Sequence, residues 1–584
     1  MGPDKPLPHS DEFDDAEAYI KSLLDFVGTN DEIQVLCGGV HILDFFTSDP
    51  DLYAQILPQE WREFFAQHEI MDILDLLMRQ PLPVSHDPGT DQWRNGPCPP
   101  QSLIDYVSTV RRHLLSRQPS TTQCARNRAM KPTQKLARNV AVGMNVKKVH
   151  EVGLFAHYID KLTTEISTST DHKISHLVDF GSGQNYLGRA LASQPYDRNI
   201  VAIESKDSNA EKAKEFDVTA KLATKEKILR NKKAFRAGVD VPHEKLIPTD
   251  LPTPPPERPY RVTSVDSDDI RLEASIERPP DSKGSIQYVS HRILDGDLAD
   301  VASSIPSANP QLMTISLHSC GNLIHHGLRS LALNLDVKAV AMVGCCYNLL
   351  TERLGPATYK HPELRPTTSD HPRLEKEGEA CDPAGFPMSE RFCQYGNGKG
   401  IRLNITARMM AVQAPQNWGE KDSQGFFTRH FYRALLQKLF LDRGIIGPPR
   451  KEHRGASPAG HSSGTPIVIG SLRKSCYTDF VAYVRGALAR LESQAGIGER
   501  IQEKMSDIED AEIAAYERQY AKRKKDLSVV WSLMAFSAGV IESAIVVDRW
   551  VWLKEQEAVE DAWVEPVFDY GISPRNLVVV GIKR

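Results

Sequence analysis

The sequence predicts an α/β protein: a doubly wound, mostly parallel sheet with a helical region before it and a helical insertion ahead of a C-terminal β-hairpin. Three observations predict it. The run LVDFGSGQNYLGRALA, from Leu177, reads as an apolar strand, a glycine turn and a helix start. Strand-like apolar runs then alternate with helical stretches between residues 176 and 343, the pattern of parallel strands joined by crossover helices. The closing segment WVEPVFDYGISPRNLVVVGIKR holds two apolar runs around Gly571 and Pro574, which read as a hairpin completing the sheet with an antiparallel edge.

A chain of 584 residues exceeds one compact domain. Apolar content of 40% and charged content of 25% are those of an ordinary soluble protein. The net charge of −5 excludes whole-molecule attraction to nucleic acid, so such binding needs local patches. The nine cysteines (Cys37, Cys98, Cys124, Cys320, Cys345, Cys346, Cys381, Cys393 and Cys476) are odd in number and dispersed. No CxxC pair occurs, so neither a disulfide scaffold nor a zinc ribbon is expected. A reducing intracellular compartment, cytoplasm or nucleus, fits best. The acidic N-terminus MGPDKPLPHSDEFDD lacks the basic and apolar parts of a secretory signal, and Pro6 breaks the myristoylation pattern. Val529–Val547 is apolar enough to resemble a membrane span, but it contains Glu542 and runs straight into Asp548 and Arg549. A buried helix and no membrane association are expected.

In chain order, residues 1–126 read as helical, with Leu52, Ile56, Trp61, Phe64 and Phe65 at three-to-four spacing. Pro81 to Pro100 reads as a loop. A cofactor-binding core is expected over 140–400. It opens on a helix whose apolar face is Val152, Phe155, Ile159 and Leu162. Strand one (His176–Phe180), a helix from near Tyr186 and strand two (Asn199–Ile203) follow. The helix after Ser208 is expected to continue into Lys225–Arg236, where six basic residues read as a solvated face or an RNA-backbone contact. Residues 241–285 read as a disordered proline-rich insertion. Strands three to five are placed at Ile286–Ile293, Leu312–Leu317 and Lys338–Val343, and Thr358 to Phe386 as a polar loop. A helical insertion is expected over 401–530, then a last helix and the hairpin over 531–584.

Gly181-Ser182-Gly183 lets backbone pass close beneath a ligand, since glycine has no Cβ. Glu204, at the tip of the next strand, is placed to accept hydrogen bonds from both ribose hydroxyls. Together they describe a pocket for an adenosine-bearing cofactor. The dinucleotide fingerprint lacks its third glycine, Tyr186 standing there. Asp179, two residues before Gly181, would repel a pyrophosphate and attract the cationic methionine end of S-adenosylmethionine (SAM). SAM is therefore expected rather than a nicotinamide cofactor. Asp297, after strand three, offers an acceptor to the adenine amine, and Leu298 a surface for its ring. His318, at the tip of strand four, reads as a general base or as a cofactor-lining histidine. Cys345, Cys346 and Tyr347 follow strand five. They read as buried small residues, substrate-pocket residues or metal ligands, and with His318 they form the candidate catalytic set. No metal is expected, because no spaced pair supports one. The Phe386-Pro387-Met388-Ser389 loop is a candidate lid.

KKVHEV (147–152), VDFGSGQNYLGRAL (178–191), SLHSCGNL (316–323), VGCCYNLLTE (343–352), GFPMS (385–389) and SPRNLVVV (573–580) together resemble the methyltransferase-like protein 25 family. That family is also labelled ribosomal RNA adenine dimethylase domain-containing. The resemblance covers most of the chain from about residue 140 onward. It implies a class I SAM-dependent methyltransferase fold and leaves the methyl acceptor open. RNA, ribosomal or transfer, is favoured; a protein acceptor, or a catalytically silent scaffold binding a partner through the helical regions, are the alternatives. The tip of strand four lacks the Asn/Asp-Pro-Pro-Tyr pattern of many exocyclic amine methyltransferases, so the dimethylase label gains nothing from it. Two residues depart from the family: Asn185 stands where relatives tend to have glycine, and Asn348 where CCY is usually followed by histidine.

Overall fold

A computed structural model describes residues 2–49, 51–83, 92–118, 135–223, 271–273, 284–307, 309–355, 381–447, 466–494 and 496–584. Its apolar runs become one eight-stranded sheet. β1 (His176–Phe180), β2 (Asn199–Glu204), β3 (Ser285–Ser290), β4 (Leu312–Ser319) and β5 (Val337–Gly344) are parallel. β6 (Val559–Pro566) and β7 (Leu577–Lys583) form the hairpin, and β7 runs antiparallel to both β6 and β5. The order is β3-β2-β1-β4-β5-β7-β6, and Arg271–Glu273 adds a short antiparallel edge beside β3. The rest of the proline-rich stretch, residues 241–270 and 274–283, lies outside the described residues.

Side-chain parity explains why the sheet is covered on both faces. Val178, Phe180, Val201, Ile203, Val340 and Met342 enter one core, while Leu177, Ile200, Ala202, Ala339, Ala341 and Val343 enter the other. Period-two alternation with both sets apolar is what a doubly covered parallel sheet requires. The second core is closed by α2 (Val146–Ser169) and α3 (Tyr186–Ala192), through Phe155, Ile159, Leu187 and Leu191. The first is closed by α5 (Leu323–Leu333), the N-terminal helices beginning with α1 (Ala16–Thr29), α6 (Glu420–Asp442) and α7 (Arg523–Lys554).

The apolar segment that resembles a membrane span lies in α7, the one helix among the described residues long and apolar enough to cross a bilayer. Its most apolar window is 94% buried inside the protein, so its hydrophobicity is consumed by packing. Its serines bind the N-terminal region: Tyr106 Oη and Ser537 Oγ are 2.5 Å apart, and Leu115 N–H donates to Ser543 Oγ at 3.0 Å. Its Trp550 Nε1 donates to the Ala562 carbonyl of β6 at 2.8 Å. The N-terminal helices and the helices beyond residue 400 therefore share one core with the sheet.

Some boundaries differ from the sequence reading. The periodic stretch from Asp51 to Met78 is three helices, Leu52–Ile56, Gln59–Gln67 and Ile70–Met78, separated by extended backbone at Leu57–Pro58 and His68–Glu69. Proline lacks the N–H that a continuous helix would use at position 58. The expected loop from Pro81 contains a two-residue ladder, Gln92–Trp93 against Gly96–Pro97. α4 (Asp207–Thr219) stops before the basic run, with Lys221 at φ +64°. Lys225–Arg236 lies outside the described residues.

Candidate active site

The strand order reverses between β1 and β4, and the crevice beyond the carboxyl ends of these strands is where open α/β sheets bind ligands. The glycine turn lies there. Gly181 and Gly183 have φ of +67° and +58°, left-handed values that favour glycine. Ser182 N–H donates to the Ile203 carbonyl at 2.9 Å, tying the turn to β2. A Cβ on Gly183 would meet nothing within 4 Å, so the space above it is open to a ligand. Glu204 faces the same turn: its Oε2 accepts from Gly183 N–H and its Oε1 from Lys206 N–H, both at 2.9 Å. The carboxylate is thereby oriented, and each oxygen keeps a lone pair for a further donor.

Asp179 is only 3% exposed, yet its carboxyl makes no hydrogen bond or ion pair with any described residue. Burial, and secondarily the charge of Glu204, push its pKa up to about 7. A buried acid without a partner is costly to ionise, and a cationic ligand beside it would reverse that cost.

Asn185 explains its departure from glycine. It caps α3 in the left-handed conformation, φ 52° and ψ 41°, which asparagine tolerates. Its fully buried Nδ2 donates to Tyr288 Oη at 3.0 Å. Tyr288 in turn donates to Asp217, whose other oxygen receives Arg189 Nε at 3.0 Å. Asn185 thus secures the glycine turn to β3 and α4 through a buried network.

At the tip of β4, His318 holds φ +71° inside a register shift between Leu317 and Ser319. A non-glycine residue held there is strained, which the surrounding contacts must offset. His318 Nε2 lies 3.0 Å from Glu151 Oε2, and Glu151 Oε1 accepts from Ser573 Oγ at 2.5 Å. Glu151 is fully buried on α2. Burial pushes its carboxyl up, but the His318 hydrogen bond and charge, with Ser573 and Lys147, outweigh this and hold it below the usual range. An ionised carboxylate only accepts, so Nε2 carries the proton of this hydrogen bond. The sequence reading named His318 but not Glu151 or Ser573. Their signal was present in the KKVHEV and SPRN motifs, without any indication that these meet.

The other expected site residues divide. Cys345 and Cys346 are half-buried at the tip of β5, and Cys320 comes up beside them, its Sγ 3.4 and 3.3 Å from theirs. Asn348 is half-buried in the adjoining turn Tyr347–Leu349. Tyr347 corrects the catalytic expectation. It is buried, donates to Glu542 Oε1 at 2.9 Å, and carries Arg549 and Arg575 over its ring at 5.5 and 5.6 Å. Burial, then the Glu542 charge, pushes its hydroxyl well up, so it anchors β5 to α7 rather than reaching the crevice. Leu298 is a second correction: its side chain is in the core and its N–H donates to Asn334 Oδ1 at 2.7 Å. Asp297 is exposed, and its Oδ1 accepts from Ala299 N–H at 2.9 Å, at the start of a short helix.

The Phe386–Ser389 loop is a third correction, because it is not free to act as a lid. Phe386, Met388 and Ser389 are buried, and Asp548 of α7 accepts from the N–H groups of Met388 and Ser389 at 2.7 and 2.9 Å. Burial pushes Asp548 up to about 6, against the effect of these donors. Replacing Asp548 by Ala leaves two buried N–H groups without acceptors and is expected to cost about 2–6 kcal/mol. Chemical denaturation of the variant and the wild-type chain checks this.

The sheet order and the glycine turn are those of the α/β Rossmann-like class I methyltransferase fold. A family model described as "Methyltransferase domain" matches residues 147–353, which span α2 to the turn after β5. The resemblance to the methyltransferase-like protein 25 family holds in the comparison with known proteins. Over 521 residues the chain is 25% identical to a Homo sapiens protein named "Probable methyltransferase-like protein 25", covering 76% of this chain and 75% of that protein. It is 28% identical over 291 residues to the Mus musculus protein of the same name, covering 50% of this chain and 40% of that one. No solved structure matches the chain.

Proposed function

We propose that this methyltransferase uses SAM as methyl donor and RNA as acceptor. The observation that carries the donor is Asp179, a buried carboxyl without a partner beside the open glycine turn. SAM brings a cationic methionyl end to Asp179 and ribose hydroxyls to Glu204. Asp297 keeps acceptor capacity beyond its contact with Ala299 N–H for the adenine amine. Methyl transfer is an in-line displacement at the sulfonium methyl, so the protein must align the acceptor and, where needed, remove its proton. In this reading a neutral His318 takes that proton on Nδ1, while Glu151, itself held by Ser573, orients the imidazole. Cys345 and Cys346 line the same rim. Lys147 and Lys148, on the first turn of α2, put positive charge at this mouth and favour a polyanionic acceptor.

Isothermal titration tests the donor: SAM is expected to bind the wild-type chain, and absence of binding would remove the enzyme reading in favour of a silent scaffold. Tritiated-methyl transfer into RNA and protein fractions of cells lacking the protein tests the acceptor. Label in RNA is expected; label confined to protein would overturn the RNA reading.

A further inference from the structure

Three cysteines far from any zinc-finger spacing meet at the tips of β4 and β5. Cys320 Sγ lies 3.4 Å from Cys345 Sγ and 3.3 Å from Cys346 Sγ, and the last two are 3.4 Å apart. The backbone is built for this approach. Gly321, at φ +57°, sits where a Cβ would come within 2.5 Å of the Leu349 carbonyl, so only glycine lets the two loops close. Gly321 N–H donates to the Cys346 carbonyl and Cys345 N–H to the Ser319 carbonyl, both at 3.3 Å, pinning the loops in register.

A second observation concerns charge. Arg549 is 1% exposed, and its Nε has no hydrogen-bond partner. Its guanidinium lies against Gly344, the residue before Cys345, where a Cβ would sit 2.8 Å from Nη1. Asp548 and Glu542 lie within its electrostatic reach, yet its Nε is left without an acceptor. Three thiolates around a divalent ion would add one net negative charge on the Gly344 side of this guanidinium.

We propose that Cys320, Cys345 and Cys346 form a thiolate site for zinc beside the methyl-transfer crevice. Tetrahedral zinc with Zn–S near 2.3 Å places its sulfurs about 3.8 Å apart, so the trio has only to open by about 0.4 Å. Each thiol gives up its proton as its sulfur coordinates, and the protons pass to solvent. Among the described residues no histidine or carboxylate joins the three sulfurs within 4.8 Å. The fourth position therefore falls to water or to an incoming acceptor atom, the ligand count of catalytic zinc sites. Cys320 is exposed and its partners half-buried, so the ion has a path in.

The test uses the full chain, purified without chelator and measured for metal by mass spectrometry. About one zinc per chain is expected, falling to background in Cys320→Ser and Cys345→Ser and unchanged in Cys381→Ser. Exchange with Co(II) is expected to give a thiolate-to-cobalt charge-transfer band in the wild-type chain. Zinc is also expected to shield three thiols from a thiol reagent until a chelator is added. If the serine variants fail to fold, these last two measurements on the wild-type chain decide. A wild-type chain that takes up neither Zn(II) nor Co(II), or zinc that persists in both folded serine variants, would overturn the proposal. None of these readouts depends on methyl transfer.

Discussion

At pH 8 the Asp179→Asn chain is expected to unfold at a higher temperature than the wild-type chain while binding SAM about 30-fold more weakly or worse. Both effects come from one carboxyl, pushed up to about 7 by burial and then by Glu204. A folded pKa raised above the unfolded one means that the native state binds the extra proton. The stability linked to it is complete below the ordinary aspartate range, near ~4, and is lost as pH rises through 7. A displacement of about three units corresponds to about 4 kcal/mol lost by pH 8. Asparagine carries no proton to lose, so the advantage of the variant is expected at pH 8 and not at pH 4. The same linkage is expected to act on the proposed donor: if SAM sits against the ionised carboxylate, wild-type affinity should rise from pH 6 to pH 8 with uptake of a proton by buffer. Thermal melts at both pH values and titrations in buffers of different ionisation enthalpy measure these effects. A variant that binds SAM like the wild-type chain would remove Asp179 from the site.

Removing the imidazole of His318 is expected to lower kcat by about 10²–10⁴ with the KM for SAM unchanged. The substitution of choice is His318→Gly. It deletes the side chain and accommodates the φ of +71°, so a loss of activity cannot be attributed to strain at that position. In the proposed reaction Glu151 would act through His318. Glu151→Gln keeps the shape but loses the ionised acceptor, and is expected to lower kcat by about 10–10² with the KM for SAM again unchanged. Glu151→Asp should recover part of the rate, a rescue that a purely structural role would not give. If His318→Gly retains wild-type kcat, the proton goes elsewhere and the geometry at the β4 tip has only a supporting role.

The parts of the site visible in the sequence are those whose chemistry is local. The glycine turn, the acid before it and Glu204 lie on consecutive strand tips, and a strand-turn-helix pattern places them without knowledge of the rest of the chain. Tyr347 and Leu298 were misread for the opposite reason. Each lies next to a strand tip, but whether a side chain there faces the crevice or the core depends on helix α7 or on Asn334, far along the chain. The Phe386–Ser389 loop was misread likewise: glycine, proline and serine looked mobile, whereas Asp548 of α7 holds their backbone.

What the sequence determined by itself is the doubly covered sheet, its terminal hairpin and a glycine turn flanked by Asp179 and Glu204, because periodicity and turn chemistry act over a few residues. Only the tertiary structure decided that Ser573 meets Glu151 across 422 positions, that Glu151 orients His318, and that Cys320 joins Cys345 and Cys346. Strand order and crossovers bring these groups together, and separation along the chain says nothing about separation in space once the sheet has closed.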